Sequence, residues 1–217
     1  MKGYIQSVGV ELEGMIPYKY ADSIDKWIPK YLKHPERYIP GEDGSVYGED
    51  QCQTGEWRYW GQPEDIKQFL DVMFGKYEYR GNNSCGFHVH IKADKKVYEY
   101  AKCEYFWKEF EKAYRKRALR RPRYTERLRN TYCSFNFDKN GYYDHLKDRG
   151  AINIGSIEDK GTLEIRILPY QTSSIEGYNN IKWLVKTINN IVRKMDGKDK
   201  KVYEKEAQLI TRLALDQ

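Results

Sequence analysis

The sequence lacks the segments by which membrane and secreted proteins are recognised. No run of about 18 apolar residues occurs, and the N-terminus has no apolar signal-peptide core. Only four cysteines are present, Cys52, Cys85, Cys103 and Cys133, and no two of them form a CxxC pair. We therefore expect a cytoplasmic protein that has free thiols and no membrane partner, without a disulfide framework or a zinc ribbon.

Glycine-rich nucleotide-binding loops, internal repeats and low-complexity tracts are also missing. Neither a P-loop nor a GxGxxG motif occurs, so any nucleotide must be held in another way. The chain has 217 residues, 40% of them hydrophobic and 32% charged, with a formal net charge of +6. This composition predicts a single globular domain over residues 1–217. A mildly basic balance suits an anionic ligand but makes nucleic acid an improbable partner.

Histidine is scarce, and half of it lies in one short stretch. Of the four histidines, His88 and His90 alternate with Phe87, Val89 and Ile91. In a strand this pattern places both imidazoles on one face and the apolar side chains on the other. Two imidazoles so placed can converge on one ion or one phosphate. An isolated HxH pattern is also found on surface edge strands, so this pattern does not assign a function.

Two further predicted strands carry ionisable pairs on one face. Glu11 and Glu13 alternate with Val10 and Leu12, and a second run places Glu164 and Arg166 opposite Leu163, Ile165 and Ile167. Neighbouring carboxylates repel each other unless a cation or a basic group lies between them. If the three strands share one sheet, one face becomes a core and the other collects glutamate, histidine and arginine. This repetition favours a functional site over an ordinary solvent-exposed face.

The remaining pattern predicts an α+β domain, in which antiparallel strands are followed by packed helices. The expected strands are residues 5–13, 55–60 and the histidine stretch, with a turn at 43–46 that leads into a short strand after a loop at 35–41. Residues 150–157 and 162–168 are expected to form a hairpin. Helical periodicity predicts helices at 21–32, from 62 onward, at 95–119 and at 176–195, and a last helix that ends near residue 215.

A basic segment follows the longest predicted helix. Eight arginines and lysines lie between Arg115 and Arg129. A solvated face is the more common role of such a run, and phosphate binding or an acidic partner are the alternatives. Arg127, Arg129 and Tyr132 lie shortly before Cys133, from where their side chains can reach back to the site.

Five short motifs occur in the order found in the amidoligase family. They are GVELE, DGS, GEW, GFHVH and TLEIRIL, and they span residues 8–168. That family resembles glutamine synthetase and glutamate–cysteine ligase in its catalytic sheet. GFHVH is similar to the Gly-Met-His-x-His strand of glutamine synthetase, and Glu164-Ile165-Arg166 is similar to its Glu-x-Arg strand. The resemblance implies an α+β fold like the glutamine synthetase catalytic domain: a curved antiparallel sheet lined with metal ligands and backed by helices.

The resemblance also implies an activity, an ATP-dependent carboxylate–amine ligase that acts through an acyl phosphate. ATP and Mg²⁺ or Mn²⁺ are the expected cofactors, and the substrates are a carboxylate-bearing small molecule, peptide or protein and an amine. Transferred by motif, the metal ligands are Glu11, Glu13, Glu56, His88 and Glu164. The residues expected at the nucleotide are His88, His90, Arg166 and Arg129, and those expected in catalysis are Arg166, Glu56 and His90.

The residue types suit this chemistry on their own account. A carboxylate becomes a good acyl donor only after phosphorylation, and phosphoryl transfer needs charge neutralisation and positioning. Mg²⁺ and Mn²⁺ prefer carboxylate oxygens, and Mn²⁺ also accepts imidazole.

The sequence departs from the glutamine synthetase pattern on its middle strand, which in that enzyme supplies two carboxylates. Here only Glu56 is assigned, and Glu49, Asp50 and Asp43 are the candidates for the second. Two other classes stay open. One is a metal-dependent hydrolase with the same cluster, including a thiol variant that uses Cys85. The other is a non-catalytic protein that contacts acidic partners or nucleic acid through the basic segment.

Overall fold

A six-stranded antiparallel sheet and the helices behind it make up the described part of the chain. The computed structural model describes residues 3–42, 44–130, 133, 135 and 150–197. The strands are β1 (Ile5–Pro17), β2 (Tyr38–Gly41), β3 (Cys52–Gly61), β4 (Phe87–Ala93), β5 (Ile152–Asn153) and β6 (Leu163–Ile165). The helices are α1 (Ile24–Trp27), α2 (Pro63–Lys76), α3 (Lys95–Ala101), α4 (Glu104–Ala118), α5 (Pro122–Arg127), α6 (Ser156–Lys160) and α7 (Ser174–Asp196), with short 3₁₀ turns at Tyr18–Tyr20, Ile28–Tyr31 and Pro35–Arg37.

The sheet order is β2-β3-β1-β4-β6-β5, and every neighbouring pair is antiparallel. The pairing register places Glu11 of β1 between Arg58 of β3 and His88 of β4. His90 of β4 in turn lies opposite Glu164 of β6. Residues directly opposite each other point to the same face of a sheet, so this register gathers the ionisable side chains on one side.

The other face of the sheet forms the hydrophobic core. The aliphatic residues that alternate with the ionisable ones are buried, and α2, α4 and α7 complete the layer behind them. Its fully buried members include Leu12, Val89, Ile91, Leu163 and Ile165 from the strands and Phe69, Phe110, Leu184 and Ile188 from the helices. Burying a side chain of this size stabilises the fold by about 1.5–3 kcal/mol. The predicted α+β class and the two-faced sheet are therefore confirmed.

The helices differ from the prediction where a single residue interrupts the helical pattern. The segment 21–32 is only partly α-helical: α1 ends at Trp27 and a 3₁₀ turn follows, because Pro29 has no N–H and its ring clashes with a helical backbone. The predicted helix 95–119 is two helices, since Cys103 is extended. The indole of Trp107 donates a hydrogen bond to the Ala101 carbonyl (2.6 Å) and so satisfies the end of α3.

The strands differ mainly at their ends and turns. The segment 35–41, which was predicted to be a loop, contains β2. The prediction of a short strand after the 43–46 turn is wrong, because residues 44–51 form turns and irregular backbone. The 150–168 hairpin exists as the antiparallel pair β5–β6, but its strands are shorter and α6 joins them. Gly161 ends α6 in the left-handed conformation (φ 67°), which glycine adopts without steric cost.

The helical C-terminal part predicted at 176–215 is confirmed as far as α7, and the last predicted helix lies outside the described residues. Over the described ranges, no helix is both long enough and apolar enough to span a bilayer.

Candidate metal and phosphate site

Ionisable side chains from four adjacent strands meet on the polar face of the sheet. They are Glu11 and Glu13 of β1, Glu56 and Arg58 of β3, His88 and His90 of β4, and Glu164 of β6, followed by Arg166. The four carboxylates and both imidazoles are buried, with 2–7% of their surface exposed. Burying a charge is costly unless the charge is paired or binds a metal, so an accidental gathering of this kind is disfavoured.

Glu11 is the centre of this cluster. Its Oε2 lies 3.3 Å from His88 Nδ1, and its Oε1 lies 3.0 Å from His90 Nε2. Lys160 Nζ and Arg58 Nε approach the same Oε1 to 3.2 and 3.6 Å. Burial alone would raise the pKa of Glu11, but the hydrogen bond with His88 and the charges of the two histidines outweigh burial and hold that pKa well below its usual range. Glu11 is therefore ionised at neutral pH.

His88 has carboxylates on three sides. Its Nε2 lies 3.2 Å from Glu13 Oε1, and its Nδ1 lies 3.5 Å from Glu164 Oε1 in addition to Glu11. Burial lowers the pKa of His88, but the charge of Glu13 and the hydrogen bond to Glu11 outweigh burial, and the net direction is upward. The surrounding carboxylates therefore stabilise a positive charge at this position, whether a proton or a bound cation supplies it.

Gly86 is required by the close approach of β4 to Glu13. Its N–H donates a 2.5 Å hydrogen bond to Glu13 Oε2. A Cβ at this position would lie only 2.6 Å from His88 Nε2 and 3.0 Å from Glu13 Oε2. Any larger residue would therefore displace the imidazole, which explains the glycine at the start of the GFHVH motif.

Glu164 and Arg166 are fixed by polar neighbours. Asn153 Nδ2 donates to Glu164 Oε2 (2.9 Å), and Arg166 Nη1 lies 3.0 Å from Glu164 Oε1. Burial raises the pKa of Glu164, but the charges of His88 and Arg166 outweigh it, so the pKa lies below its ordinary value. Arg127 Nη2 donates to the Arg166 carbonyl at 2.8 Å. The basic segment thus contacts the backbone that follows β6 through the side chain of Arg127.

Glu56 behaves differently from Glu11 and Glu164. It pairs with Arg58 on its own strand, yet its pKa is raised, first by burial and then by the charge of Glu11. A buried carboxyl group with a raised pKa holds a proton more readily than an exposed one, which makes Glu56 a candidate acid or base.

Two sets of three side chains have the geometry to hold a metal ion. Glu11, Glu56 and His88 form one set, and Glu11, His90 and Glu164 form the other; within each set the ligand atoms lie within 4.8 Å of one another. The carboxylate oxygens suit Mg²⁺ or Mn²⁺, and Mn²⁺ also accepts the one imidazole nitrogen that each set contains. Glu11 belongs to both sets, so a cation in either position would have this carboxylate as a ligand.

His90 supplies independent support for a ligand at this site. Its Nε2 lies 3.0 Å from Glu11, but the contact lacks hydrogen-bond geometry, and this buried atom has no hydrogen-bond partner among the described residues. Its Nδ1 is held by the Thr162 hydroxyl at 3.0 Å. The ring is therefore oriented from one side while the other nitrogen is directed into the cluster, as expected for a metal ligand.

A cavity of about 380 Å³ adjoins the cluster on the His90 side. Gly9 forms part of its lining, and the Trp60 side chain, 41% exposed, lies on β3 opposite that glycine. Three cationic residues also line it, Arg58, Lys92 and Lys160. The cavity therefore combines an aromatic surface with positive charge beside the candidate metal positions.

Most of the residues predicted from the sequence meet at this site. Glu11, Glu56, His88 and Glu164 belong to the two sets, as does His90, which was expected at the phosphates. Glu13 lies outside both sets and contacts His88. Arg166 lies beside the cluster, but the exposed Arg129 lines a different cavity, with Arg120 and Arg121, and we do not include it among the nucleotide-binding residues.

Two of the candidates for a second carboxylate on the middle strand, Glu49 and Asp50, are exposed, precede β3 and are not brought to the cluster. The third candidate, Asp43, lies outside the described residues, as does Tyr132. Three site residues were not predicted: Arg58, Asn153 and Lys160. Arg58 had a usable signal because it shares a strand face with Glu56. Asn153 lies in β5 and Lys160 in α6, and neither of these short elements carries a distinctive motif.

Comparisons with known proteins gave no relative: no family model, curated protein or solved structure matches the chain. The functional argument therefore rests on the chemistry and geometry of the site.

Proposed function

We propose that this chain is an ATP-dependent carboxylate–amine ligase that forms an acyl phosphate, with a sheet arranged as in the glutamine synthetase catalytic domain. The observation that carries the proposal is the pair of ligand sets that share Glu11, with Arg166 and Arg58 beside them. Adjacent cation positions on one sheet face suit the binding of a nucleoside triphosphate, whose negative charge must be neutralised before its γ-phosphoryl group can be transferred.

The cation ligands in this proposal are Glu11, Glu56, His88, His90 and Glu164. When bound, Mg²⁺ or Mn²⁺ would neutralise the phosphate oxygens and favour attack on the γ-phosphorus. Glu13 positions His88 through the 3.2 Å contact, and the Gly86 N–H holds Glu13 in turn. These outer contacts orient the ligands before any substrate binds.

Arg166 is the residue proposed to stabilise the phosphoryl group during transfer. Its guanidinium is oriented by Glu164, and its backbone is held by Arg127. A planar guanidinium can donate two parallel hydrogen bonds to phosphoryl oxygens. Glu56, which offers one carboxylate oxygen to a ligand set, is proposed to accept with its second oxygen the proton that the attacking amine loses when it displaces phosphate from the acyl phosphate.

The adjoining cavity is proposed to hold the base and sugar of ATP. Its volume, about 380 Å³, is in the range of small-molecule sites. Trp60 and Ile39 offer apolar surface for a planar base, while Lys92, Lys160 and Arg58 offer positive charge to the phosphates. A nucleotide in this orientation would direct its phosphates toward His90 and the candidate metal positions.

A metal-dependent hydrolase is the alternative that one observation favours. Glu56, with its raised pKa next to a candidate metal position, is also a suitable general base for a water molecule. The two reactions differ in what they consume. A ligase consumes ATP in proportion to the acid it activates, whereas a hydrolase needs neither ATP nor an amine.

Hydroxylamine trapping tests the ligase proposal. Hydroxylamine attacks an acyl phosphate at carbon and gives a hydroxamate and inorganic phosphate, so the purified chain is incubated with ATP, Mg²⁺, hydroxylamine and a panel of carboxylic acids led by L-glutamate. The expected result is one hydroxamate per ADP, reduced about a hundredfold or more in Glu11→Gln and unchanged in Lys182→Ala on the exposed side of α7. Phosphate release that no carboxylic acid stimulates would contradict the proposal.

A further inference from the structure

Three arginines lie together on a surface that has no part in the proposed ligase site. A cavity of about 390 Å³ is lined by Arg120, Arg121, Pro122, Thr125, Glu126 and Arg129, at the turn between α4 and α5 and along one side of α5. We call this the arginine surface. Within the described residues, none of its three guanidinium groups has a carboxylate at ion-pair distance. In contrast, five arginines elsewhere in the described residues do form ion pairs with carboxylates: Arg37, Arg58, Arg115, Arg123 and Arg166.

The backbone at Arg120 adopts a conformation that is costly for arginine, within a turn closed by a hydrogen bond from Arg121 N to the Ala118 carbonyl (2.9 Å). Arg120 has a φ of 63°, in the left-handed region that glycine adopts freely and other residues adopt at a cost. A long cationic side chain therefore occupies a position where glycine would be sterically preferred. Such an outlier is a reason to look for a function of the side chain.

The neighbouring contacts hold the arginine surface in a defined shape. The Arg121 guanidinium lies 5.3 Å from the centroid of the Tyr124 ring, a cation–π contact that restricts its orientation. Thr125 Oγ1 donates to the Ala118 carbonyl (3.2 Å) and so ties α5 to the end of α4. The cations are thus presented by a fixed turn and not by an independent flexible segment, which lowers the entropic cost of binding an anion.

We propose that the arginine surface is a docking site for an acidic peptide segment of a partner protein. Guanidinium groups pair bidentately with Asp and Glu carboxylates. Leu119, which is 70% exposed, adjoins Arg120 and offers an apolar contact to such a peptide. Glu126 in the cavity lining can accept a hydrogen bond from a peptide N–H, a donor that the sugar–phosphate backbone of a nucleic acid lacks. The lining residues include no aromatic side chain on which nucleic acid bases would stack.

Fluorescence anisotropy with a labelled acidic peptide tests this inference. The probe is fluorescein-labelled Glu-Leu-Glu-Glu-Leu-Glu, titrated with the whole chain without ATP or divalent cation, so the result does not depend on the ligase proposal. The expected result is saturable binding that weakens about tenfold or more in the triple variant Arg120→Ala, Arg121→Ala and Arg129→Ala. The matched control is Lys182→Ala, Lys186→Ala and Arg193→Ala, which removes the same charge from exposed positions of α7 and should leave the affinity nearly unchanged.

Arg120→Gly separates a binding role from a structural one. This substitution removes the cation and relieves the positive φ, so the melting temperature should be unchanged or higher while peptide binding weakens. A lower melting temperature would instead mark Arg120 as a structural residue.

Three results of the titration would overturn the proposal. They are equal losses in the triple variant and the control, no saturable peptide binding, and tighter binding of an oligothymidylate of about 20 nucleotides that the arginine variants abolish. The last result would assign the surface to nucleic acid.

Discussion

At the scale of single residues, Lys160 and a bound cation would compete for Glu11. Lys160 Nζ lies 3.2 Å from Glu11 Oε1, and its side chain is about half exposed, so it can move away. We expect Lys160→Met to raise the affinity for Mn²⁺ several-fold in calorimetry, because a competing charge is removed while both ligand sets remain. Lys92→Met, which removes an exposed lysine from the same cavity, is the control and should change this affinity less. Weaker Mn²⁺ binding in Lys160→Met would show that Lys160 supports the site instead.

Arg166 allows a counter-ion role and a role in phosphoryl transfer to be separated. Its Nη1 pairs with Glu164 at 3.0 Å, and lysine would keep this charge but lose the planar fork. We expect Arg166→Lys to fold normally and to bind Mg²⁺ and ATP, with turnover in the hydroxylamine assay reduced about a hundredfold or more. Near-normal turnover, or a variant that does not fold, would leave Arg166 as a structural counter-ion.

The candidate site could be predicted from the sequence where it depends on strand alternation alone. Glu11, His88, His90 and Glu164 were found because residues two apart in a strand share a face. Glu13 shares that face too, but the sequence cannot show that its carboxylate turns toward Gly86 and His88. The positions of Arg129 and Lys160 relative to the site depend on how the end of α5 and the β5–β6 connection pack, and strand alternation does not encode this packing.

At the scale of elements, β1 provides the floor of the adjoining cavity at Gly9. A Cβ at this position would lie 3.5 Å from the Cβ atoms of His90 and Trp60, which is ordinary contact, so the fold has no steric need for glycine there. We expect Gly9→Val to fold, since valine favours strands, and to weaken ATP binding about tenfold by filling the cavity. Calorimetry with ATP and Mg²⁺ measures this; Gly9→Ala should have a smaller effect. Unchanged affinity in Gly9→Val would place the base elsewhere.

The N-terminus of α7 makes stability depend on pH through Glu176. Its carboxylate accepts hydrogen bonds from Thr172 N (2.9 Å), Arg123 Nη2 (2.9 Å) and Tyr124 Oη (3.1 Å), and Ser173 Oγ caps the helix. Burial raises the pKa of Glu176, but the hydrogen bonds from Thr172 and the charge of Arg123 outweigh burial, and the net direction is downward.

Because the pKa of Glu176 is lower in the folded state, the direction in which stability changes with pH is fixed. The stabilising contribution of Glu176 is fully present above the ordinary carboxyl pKa of about 4.3 and is lost as the pH falls through the lower folded value. We expect Glu176→Gln to lose about 1–3 kcal/mol of unfolding free energy at pH 7, with the difference from the parent shrinking below about pH 4. Urea unfolding at several pH values measures it. A difference that stays constant down to pH 2 would exclude this linkage.

The elements were predictable where long periodic patterns agree with tertiary packing. α7 and the central strands have such patterns, and they were found close to their observed bounds. β2 and α6 are four and five residues long, too short for periodicity to identify. β2 contains Pro40, which is tolerated because β2 is an edge strand with one side unpaired.

At the scale of the whole described molecule, the sheet separates structural from chemical roles. Its helix-covered face holds the aliphatic core, and its other face holds the buried carboxylates and imidazoles. The arginine surface lies at the turn between α4 and α5 and along one side of α5, and Arg127 of α5, which is not part of that surface, contacts the backbone of Arg166. Neither Arg120 nor Arg121 belongs to the cluster of site residues. We expect the double variant Arg120→Ala and Arg121→Ala to bind metal and ATP as the parent chain does.

Cation binding should stabilise the whole fold, because each ligand set joins three strands. Glu11, Glu56 and His88 come from β1, β3 and β4, and Glu164 extends the second set to β6, so unfolding must release the cation. At a concentration of about 100 times the dissociation constant, linkage gives about 2.7 kcal/mol. In a chain of this size that raises the melting temperature by about 5–11 °C. We expect Mn²⁺ to produce this shift, EDTA to reverse it, and Glu11→Gln to abolish it, whereas the Arg120 and Arg121 double variant retains it. A full shift in Glu11→Gln would place the cation outside both sets and remove the main support for the ligase proposal.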